Sequence, residues 1–216
     1  MKSRSENTGA RPQILIIGHG GHGKDTAAAI LARHAGLSWV SSSEFCAQKA
    51  IFPLVADLYP TWREAYADRR NHRQLWFHAI RAYNLRPGPG LAEQILADHQ
   101  IYVGMRSRAE FKAMRHRFTQ VIWVDASERC PVESDFSMEL TALDADVVLD
   151  NNGCLDRLEA EILALLTEDA DTWSAGDFAF DNAEVLALAA RQGERCNPPG
   201  RVEAIKVPRQ KPIWRY

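Results

Sequence analysis

The strongest chemical signal in the chain is the run Gly18-His19-Gly20-Gly21-His22-Gly23-Lys24. It fits the spacing G-x-x-x-x-G-K, directly after a short apolar run, Ile14 to Ile17, and directly before a helical pattern. Glycines at this spacing let successive backbone N–H groups close around phosphate oxygens, and a helix N-terminus behind them adds a field that favours anions. Lys24 supplies a fixed cation for the β- and γ-phosphates and for the charge that moves between them during transfer. The expected ligands are ATP and Mg2+, seated on Gly18, His19, Gly20, Gly21, His22, Gly23, Lys24, Asp25 and Thr26. Asp25 stands where Ser or Thr usually meets magnesium, with Thr26 next to it. Asp25 can take the metal directly or through water, or it can cap the helix. His19 and His22 are expected to lend backbone N–H groups, not their rings.

Three other groups of residues could act beside such a loop. Gly104-Met105-Arg106 follows an apolar triplet, and the guanidinium fork of Arg106 suits a phosphoryl group better than a lysine would. An ion pair is the structural alternative for Arg106. Asp125, ending the run Val121 to Val124, is a third candidate metal ligand beside Asp25 and Thr26, or else a structural cap. Ser41-Ser42-Ser43-Glu44-Phe45-Cys46 follows a second short strand pattern, at the mouth where acceptors bind in doubly wound sheets. Between Trp62 and Arg73, aromatics, bases and amides crowd into about three helical turns, with Asp68 and His72, and Arg69 and Arg73, at i, i+4 spacing.

The elements that must position these residues follow from periodicity and end signals. Ile14–Ile17, Trp39-Val40, Ile101–Val103, Val121–Val124 and Val147–Leu149 read as buried strands. Helices are expected over Lys24–Ala35, from Thr61 to about Tyr83, over Leu91–Asp98, from Ser107 to about Arg117 and over Leu155–Leu166. Thr61 with Glu64 and Ser107 with Glu110 form capping-box patterns. The helical region after Ser43 should break near Pro53 and Pro60, and 86–90 should turn. Strands alternating with helices imply a three-layer α/β fold around a five-stranded parallel sheet. The expected organisation is a flexible lead-in over 1–12, one domain over 13–166 with a helical insertion at about 44–99, and a basic, proline-containing extension over 167–216.

Composition sets the outer limits. The chain has 216 residues, 46% hydrophobic and 25% charged, which is ordinary for a globular protein of this size. No apolar run approaches the ~20 residues needed to span a bilayer, and residues 1–12 lack the apolar stretch of a secretory signal, so a cytoplasmic location is expected. Cys46, Cys130, Cys154 and Cys196 are far apart and form no C-x-x-C pair, which argues against zinc or a disulfide framework. Net charge is −2, but Asp125–Glu184 carries seventeen acids against two bases. Basic residues gather at Arg106, Arg108, Lys112, Arg115 and Arg117, and again between Arg195 and Arg215, suggesting one face that meets phosphate.

The segment Gly23-Lys24-Asp25-Thr26 resembles the nucleoside monophosphate kinase branch of P-loop proteins, and G-K-D-T in particular looks like phage deoxynucleotide kinases. Taken with S-S-S-E-F-C at 41–46, D-R-R-N-H-R at 68–73, G-M-R at 104–106 and A-D-V-V-L-D-N-N-G at 145–153, it resembles the phage P-loop kinases that phosphorylate 5-hydroxymethyl-deoxyuridine within DNA, a step of thymidine hypermodification. The resemblance covers about residues 14–166. Gly104 departs from it, since many phage deoxynucleotide kinases carry aspartate there.

The resemblance implies that DNA containing 5-hydroxymethyluracil is the partner and that a carboxylate deprotonates the acceptor hydroxyl. Asp25, Glu44 and Asp68 are the candidates, beside Lys24 and Arg106. Acceptor contacts are expected from Ser43, Glu44, Phe45, Arg69, Asn71, His72, Arg73 and Arg106. A base in duplex DNA must leave the stack to reach such a site. Trp39, Phe45, Trp62, Tyr66 and Trp76 could stack against it, or simply pack in the core. Two other readings stay open: a kinase of free deoxynucleoside monophosphates, and a non-enzymatic ATP-dependent binding module.

Overall fold

A computed structural model of the chain describes residues 12–135 and 137–168. The lead-in up to residue 11 and the extension from 169 onwards, with its basic cluster, lie outside the described residues.

Five short strands form one wholly parallel sheet: β1 (Ile14–Ile17), β2 (Trp39–Ser41), β3 (Ile101–Val103), β4 (Gln120–Asp125) and β5 (Val147–Asp150), in the order β2-β3-β1-β4-β5. β1 lies in the middle and all four of its residues are fully buried. That is why it reads as an unbroken apolar run: both faces of a parallel strand are covered by helices. The alternation of side chains sorts the strands into two cores. Leu15, Ile17, Tyr102, Val121 and Trp123 pack with residues of α2 (Ser42–Cys46), α6 (Leu91–Asp98) and α7 (Arg108–Met114). Ile14, Ile16, Val103, Ile122 and Val124 pack with α1 (Lys24–Ala35) and α8 (Leu155–Glu168). Each fully buried aliphatic side chain contributes ~1.5–3 kcal/mol.

This is a three-layer α/β architecture around a five-stranded parallel sheet, as the strand–helix alternation predicts. A third, smaller cluster, formed by Ala47, Ile51, Val55, Ala65 and Trp76, holds together the helices between β2 and α6.

Two local expectations are corrected. Pro53 does not break the helical region: α2 runs through a wider π turn (Ala47–Ile51) into α3 (Phe52–Val55). Pro53 sits in the first turn of α3, where its missing N–H costs nothing. The long helix expected from Thr61 is interrupted instead, as α4 (Trp62–Ala67), a 3-10 turn (Asp68–Arg70) and α5 (Arg73–Leu85). The Asp68 carboxylate causes the break by accepting from Tyr59 Oη (2.5 Å), Asn71 Nδ2 (2.5 Å) and His72 Nε2 (3.0 Å). Such local bonds compete with helix continuation. Cys46 and Cys130 are free. Among the described residues no helix is long and apolar enough to cross a membrane.

Candidate active site

The glycine-rich loop lies where β1 ends and α1 begins, and its shape follows from close approaches. Gly18 (φ +142°) passes so near β4 that a Cβ would meet the Val124 carbonyl oxygen at 2.5 Å. Gly23 (φ +88°) takes the left-handed conformation that starts α1, and a Cβ there would collide with Asn151 Nδ2. Both positions require glycine.

The loop is braced from behind. Asn151, buried after β5, donates from Nδ2 to the His22 carbonyl (2.8 Å), and its own N–H donates to the Asp125 carbonyl (2.7 Å). The His22 ring is wholly buried and its Nδ1 accepts from Ala126 N–H at 3.0 Å. The His19 ring lies edge-on to Trp123, with ring centres 5.2 Å apart, and its Nδ1 accepts from Glu133 N–H at 3.2 Å. Burial, then the neighbouring His22 ring, lowers the His19 pKa and favours the neutral form that can accept. The rings of both histidines therefore bind the segment after β4, a role the sequence reading did not give them.

Cations converge in front of the loop. Lys24 Nζ donates to the His19 carbonyl at 2.6 Å. Burial, reinforced by the nearby Arg106 charge, pushes the Lys24 ammonium down to about 8. One carboxylate sits among these groups. Glu133 Oε2 accepts from Gly20 N–H (2.6 Å) and from Arg106 Nη1 (2.9 Å). Burial acts to raise the Glu133 pKa but is outweighed by Arg106, the Gly20 N–H and Lys24, so the carboxyl is held below its usual range. Arg106 also donates to the Ser137 carbonyl at 3.0 Å. A carboxylate is a fair chemical stand-in for a phosphate oxygen, so its seat is a test of fit: a loop N–H and an arginine address one anion, with Lys24 close enough for its charge to act on it, as a phosphate requires.

The candidate metal ligands separate. Asp25 and Thr26 are exposed in the first turn of α1, and neither side chain has a hydrogen bond or ion pair among the described residues. As hard oxygen donors beside phosphate they fit Mg2+, which keeps several waters and needs few protein ligands. Asp125 is already engaged: it accepts from Ser127 N–H (3.3 Å), Ser127 Oγ (3.0 Å) and Asn152 Nδ2 (3.5 Å). It stabilises the turn after β4, the cap weighed against metal binding at that position.

At the end of β2, where acceptor binding is expected from sequence, Ser41 caps α2 by accepting from Glu44 N–H at 3.1 Å. Ser43 Oγ lies 3.2 Å from Ser41 Oγ, and Ser42 Oγ donates to the Gly104 carbonyl at 3.2 Å, tying the end of β2 to the end of β3. Glu44 is half-buried, and its carboxylate has no partner among the described residues. Phe45 packs in the core, as do Trp76 and, in part, Trp39, Trp62 and Tyr66.

The 68–73 group gathers around its own carboxylate. Hydrogen bonds from Tyr59, then Asn71, lower the Asp68 pKa. Arg69 donates to the Tyr66 carbonyl (3.0 Å) and lies over the Tyr66 ring (4.0 Å). Arg73 is exposed at the start of α5. The sequence reading missed Glu133 and the bracing role of Asn151. The Asp-Asn-Asn-Gly run after β5 was a usable signal for Asn151, but nothing local marks Glu133.

The loop and sheet together define a P-loop fold. Solved structures similar to this chain include an unliganded sugar kinase from Janibacter sp. (TM-score 0.42, 17% identity, covering 78% of this chain and 100% of that one). Others are shikimate kinase from Aquifex aeolicus (TM-score 0.42, 16% identity, covering 73% and 98%) and TT1252 from Thermus thermophilus (TM-score 0.43, 21% identity, covering 74% and 99%). No protein-family model matches the chain, and no curated protein matches it.

Proposed function

We propose that the chain is an ATP-dependent phosphotransferase that moves the γ-phosphate to the hydroxymethyl group of 5-hydroxymethyl-deoxyuridine in DNA. The observation that carries the transferase part is the meeting of Gly20 N–H and Arg106 on one anion at the strand ends, with Lys24 near enough for its charge to be felt. In the reaction the hydroxymethyl oxygen bonds to the γ-phosphorus and the bond to the bridging oxygen of ADP breaks. The hydroxyl proton passes to a carboxylate. Asp25 and Thr26 would hold Mg2+, which would supply charge neutralisation on the phosphates.

Glu44 is the best base of the three candidates. It is half-buried beside the β2–β3 ends and unpartnered among the described residues, whereas Asp68 is spent on Tyr59, Asn71 and His72. Asp25 belongs to the nucleotide side.

The DNA part of the reading rests on the sequence resemblance, with support from the surface between α4 and α6. Residues 69–92 hold five arginines and no acid. Along α5, Arg73, Phe77 and Arg81 recur at i, i+4, i+8 on an exposed face, with a hollow between Arg73, Gln74, Phe77 and His78. Cations interleaved with an aromatic ring suit a phosphodiester strand and an unstacked base.

The test supplies γ-labelled ATP with hydroxymethyluracil DNA, thymine DNA and free deoxynucleotides in parallel. Label is expected in hydroxymethyluracil DNA alone. Label in free nucleotides would replace this reading with a mononucleotide kinase, and label in none of them would overturn phosphotransfer.

A further inference from the structure

The segment that follows β4 does more than pass over the loop. Ala126 N–H and Glu133 N–H both donate to loop histidine rings (3.0 and 3.2 Å), and the Cys130 thiol lies 3.7 Å from the Gly21 carbonyl oxygen. Arg129 Nε donates to the Asn151 carbonyl at 2.5 Å, joining the segment to the brace behind the loop. These attachments deliver the Glu133 carboxylate to Gly20 N–H and Arg106. It also lies close enough to Lys24 for the two charges to perturb each other.

We propose that Glu133 is a specificity-determining residue: a resident carboxylate in the terminal-phosphate seat, which a nucleoside triphosphate must displace and a diphosphate need not. The proposal rests on the loop being a nucleotide site but not on the identity of the acceptor.

The seat is placed by its partners. Lys24, at the helix end of the loop, points its ammonium at the His19 carbonyl, whereas Glu133 bridges mid-loop Gly20 to Arg106, which comes from beyond β3. An anion between Gly20 and Arg106 therefore lies at the outer end of the phosphate row, nearest the acceptor. In the resting site a half-buried carboxylate offsets the Arg106 charge there and satisfies the Gly20 N–H. A γ-phosphate offers the same N–H and guanidinium more charge and more acceptor oxygens, so it can take the seat while Glu133 swings out. ADP ends one phosphate short, and with it bound Glu133 keeps both partners. The carboxylate thus taxes triphosphate binding specifically and reoccupies the seat once the phosphoryl group has left.

The experiment compares the full chain with its Glu133→Gln and Glu133→Ala variants. Calorimetry measures binding of a non-hydrolysable ATP analogue and of ADP, both with Mg2+, and a thermal melt checks each fold. Glutamine keeps the shape and an oxygen for Gly20 N–H but loses the charge. The expected result is analogue binding tighter by about tenfold, the size of one charge-assisted hydrogen bond, with ADP affinity changed less than about twofold. In the unaltered protein, the analogue but not ADP should speed amide hydrogen exchange across residues 126–135.

Equal tightening for both nucleotides, or unchanged or weaker analogue binding in a variant that melts cooperatively, would overturn the proposal. If no form of the protein bound either nucleotide, the nucleotide-site reading itself would fall, and the proposal with it. Failure confined to the variants leaves that reading standing.

Discussion

Glu110 offers a stability measurement whose sign and size follow from its surroundings. It lies in α7 with its carboxyl turned toward the core, where it accepts from Tyr102 Oη (3.4 Å), Asn84 Nδ2 (3.5 Å) and the Ala92 N–H. Burial raises its pKa from 4.5 to about 7, against the smaller opposing pull of the Tyr102 and Ala92 hydrogen bonds. A carboxyl whose folded pKa lies above its unfolded value favours the folded state most when protonated. Its contribution is fully present below pH 4.5 and is lost as pH rises to about 7. At about 1.36 kcal/mol per unit, the whole loss is at most about 3 kcal/mol, and partial solvent access reduces it. Glu110→Gln fixes the neutral form. Urea unfolding of both proteins from pH 5 to pH 8 should show the variant gaining on the parent through this window, ending about 2 kcal/mol ahead, with a plateau above the folded pKa. Other titrating groups cancel in the difference. A difference that does not change with pH, or one in which the parent gains as pH rises, would refute the burial argument.

Lys24→Ala should abolish label transfer from ATP while the thermal melt stays cooperative, and turnover within tenfold of the parent would contradict its place at the phosphates. Gly23→Ala forces a side chain into a left-handed backbone and against Asn151, so it should cost about 1–3 kcal/mol in urea unfolding and weaken ATP binding. Glu44→Gln should lower kcat by about a hundredfold or more with ATP Kd unchanged, whereas Asp68→Asn should leave kcat within a few fold; the reverse order in steady-state kinetics would exchange their roles. Arg81→Ala should weaken binding of DNA of any sequence and reduce the slope of log Kd against log salt by about one, with ATP affinity unaffected.

Where a role depends on local sequence, the chain is legible. The strands appear where apolar runs sit between turn signals, and α1 and α6 have the ends that their glycines and helix periodicity imply. The loop is legible because its glycines answer to backbone geometry written within seven residues. The break at Asp68 is not, since the same Asp and His at i, i+4 would also suit an unbroken helix. Only the approach of Tyr59, from before α4, tips the balance. Glu133 is invisible for a stronger reason. Nothing near it in sequence is unusual, and it becomes a site residue only because parallel β1 and β4 align, so that chain leaving β4 crosses the loop leaving β1.

The same folding-over resolves the charge asymmetry of the sequence. The basic residues around α7 look like a face for phosphate, but most meet acids from the acidic stretch that follows β4. Arg108 pairs with Asp144 at 2.8 Å, Arg115 with Asp146 at 2.7 Å, and Arg106 with Glu133 at 2.9 Å. The Arg108 and Arg115 pairs are structural, joining α7 and the turn after it to the chain entering β5, while the Arg106 pair lies at the glycine-rich loop, in the seat proposed for a phosphate. Lys112 and Arg117 stay exposed without a hydrogen bond or ion pair among the described residues, but a denser set of uncompensated charge lies elsewhere. It falls on the acid-free residues 69–92, where Arg70, Arg73 and Arg81 are exposed and have no hydrogen bond or ion pair among the described residues. A polyanion gains most where it need not compete with a carboxylate already in place. On the proposed reading, a DNA strand would therefore meet α5 in preference to the α7 cluster, leaving Arg106 for the phosphate in transfer.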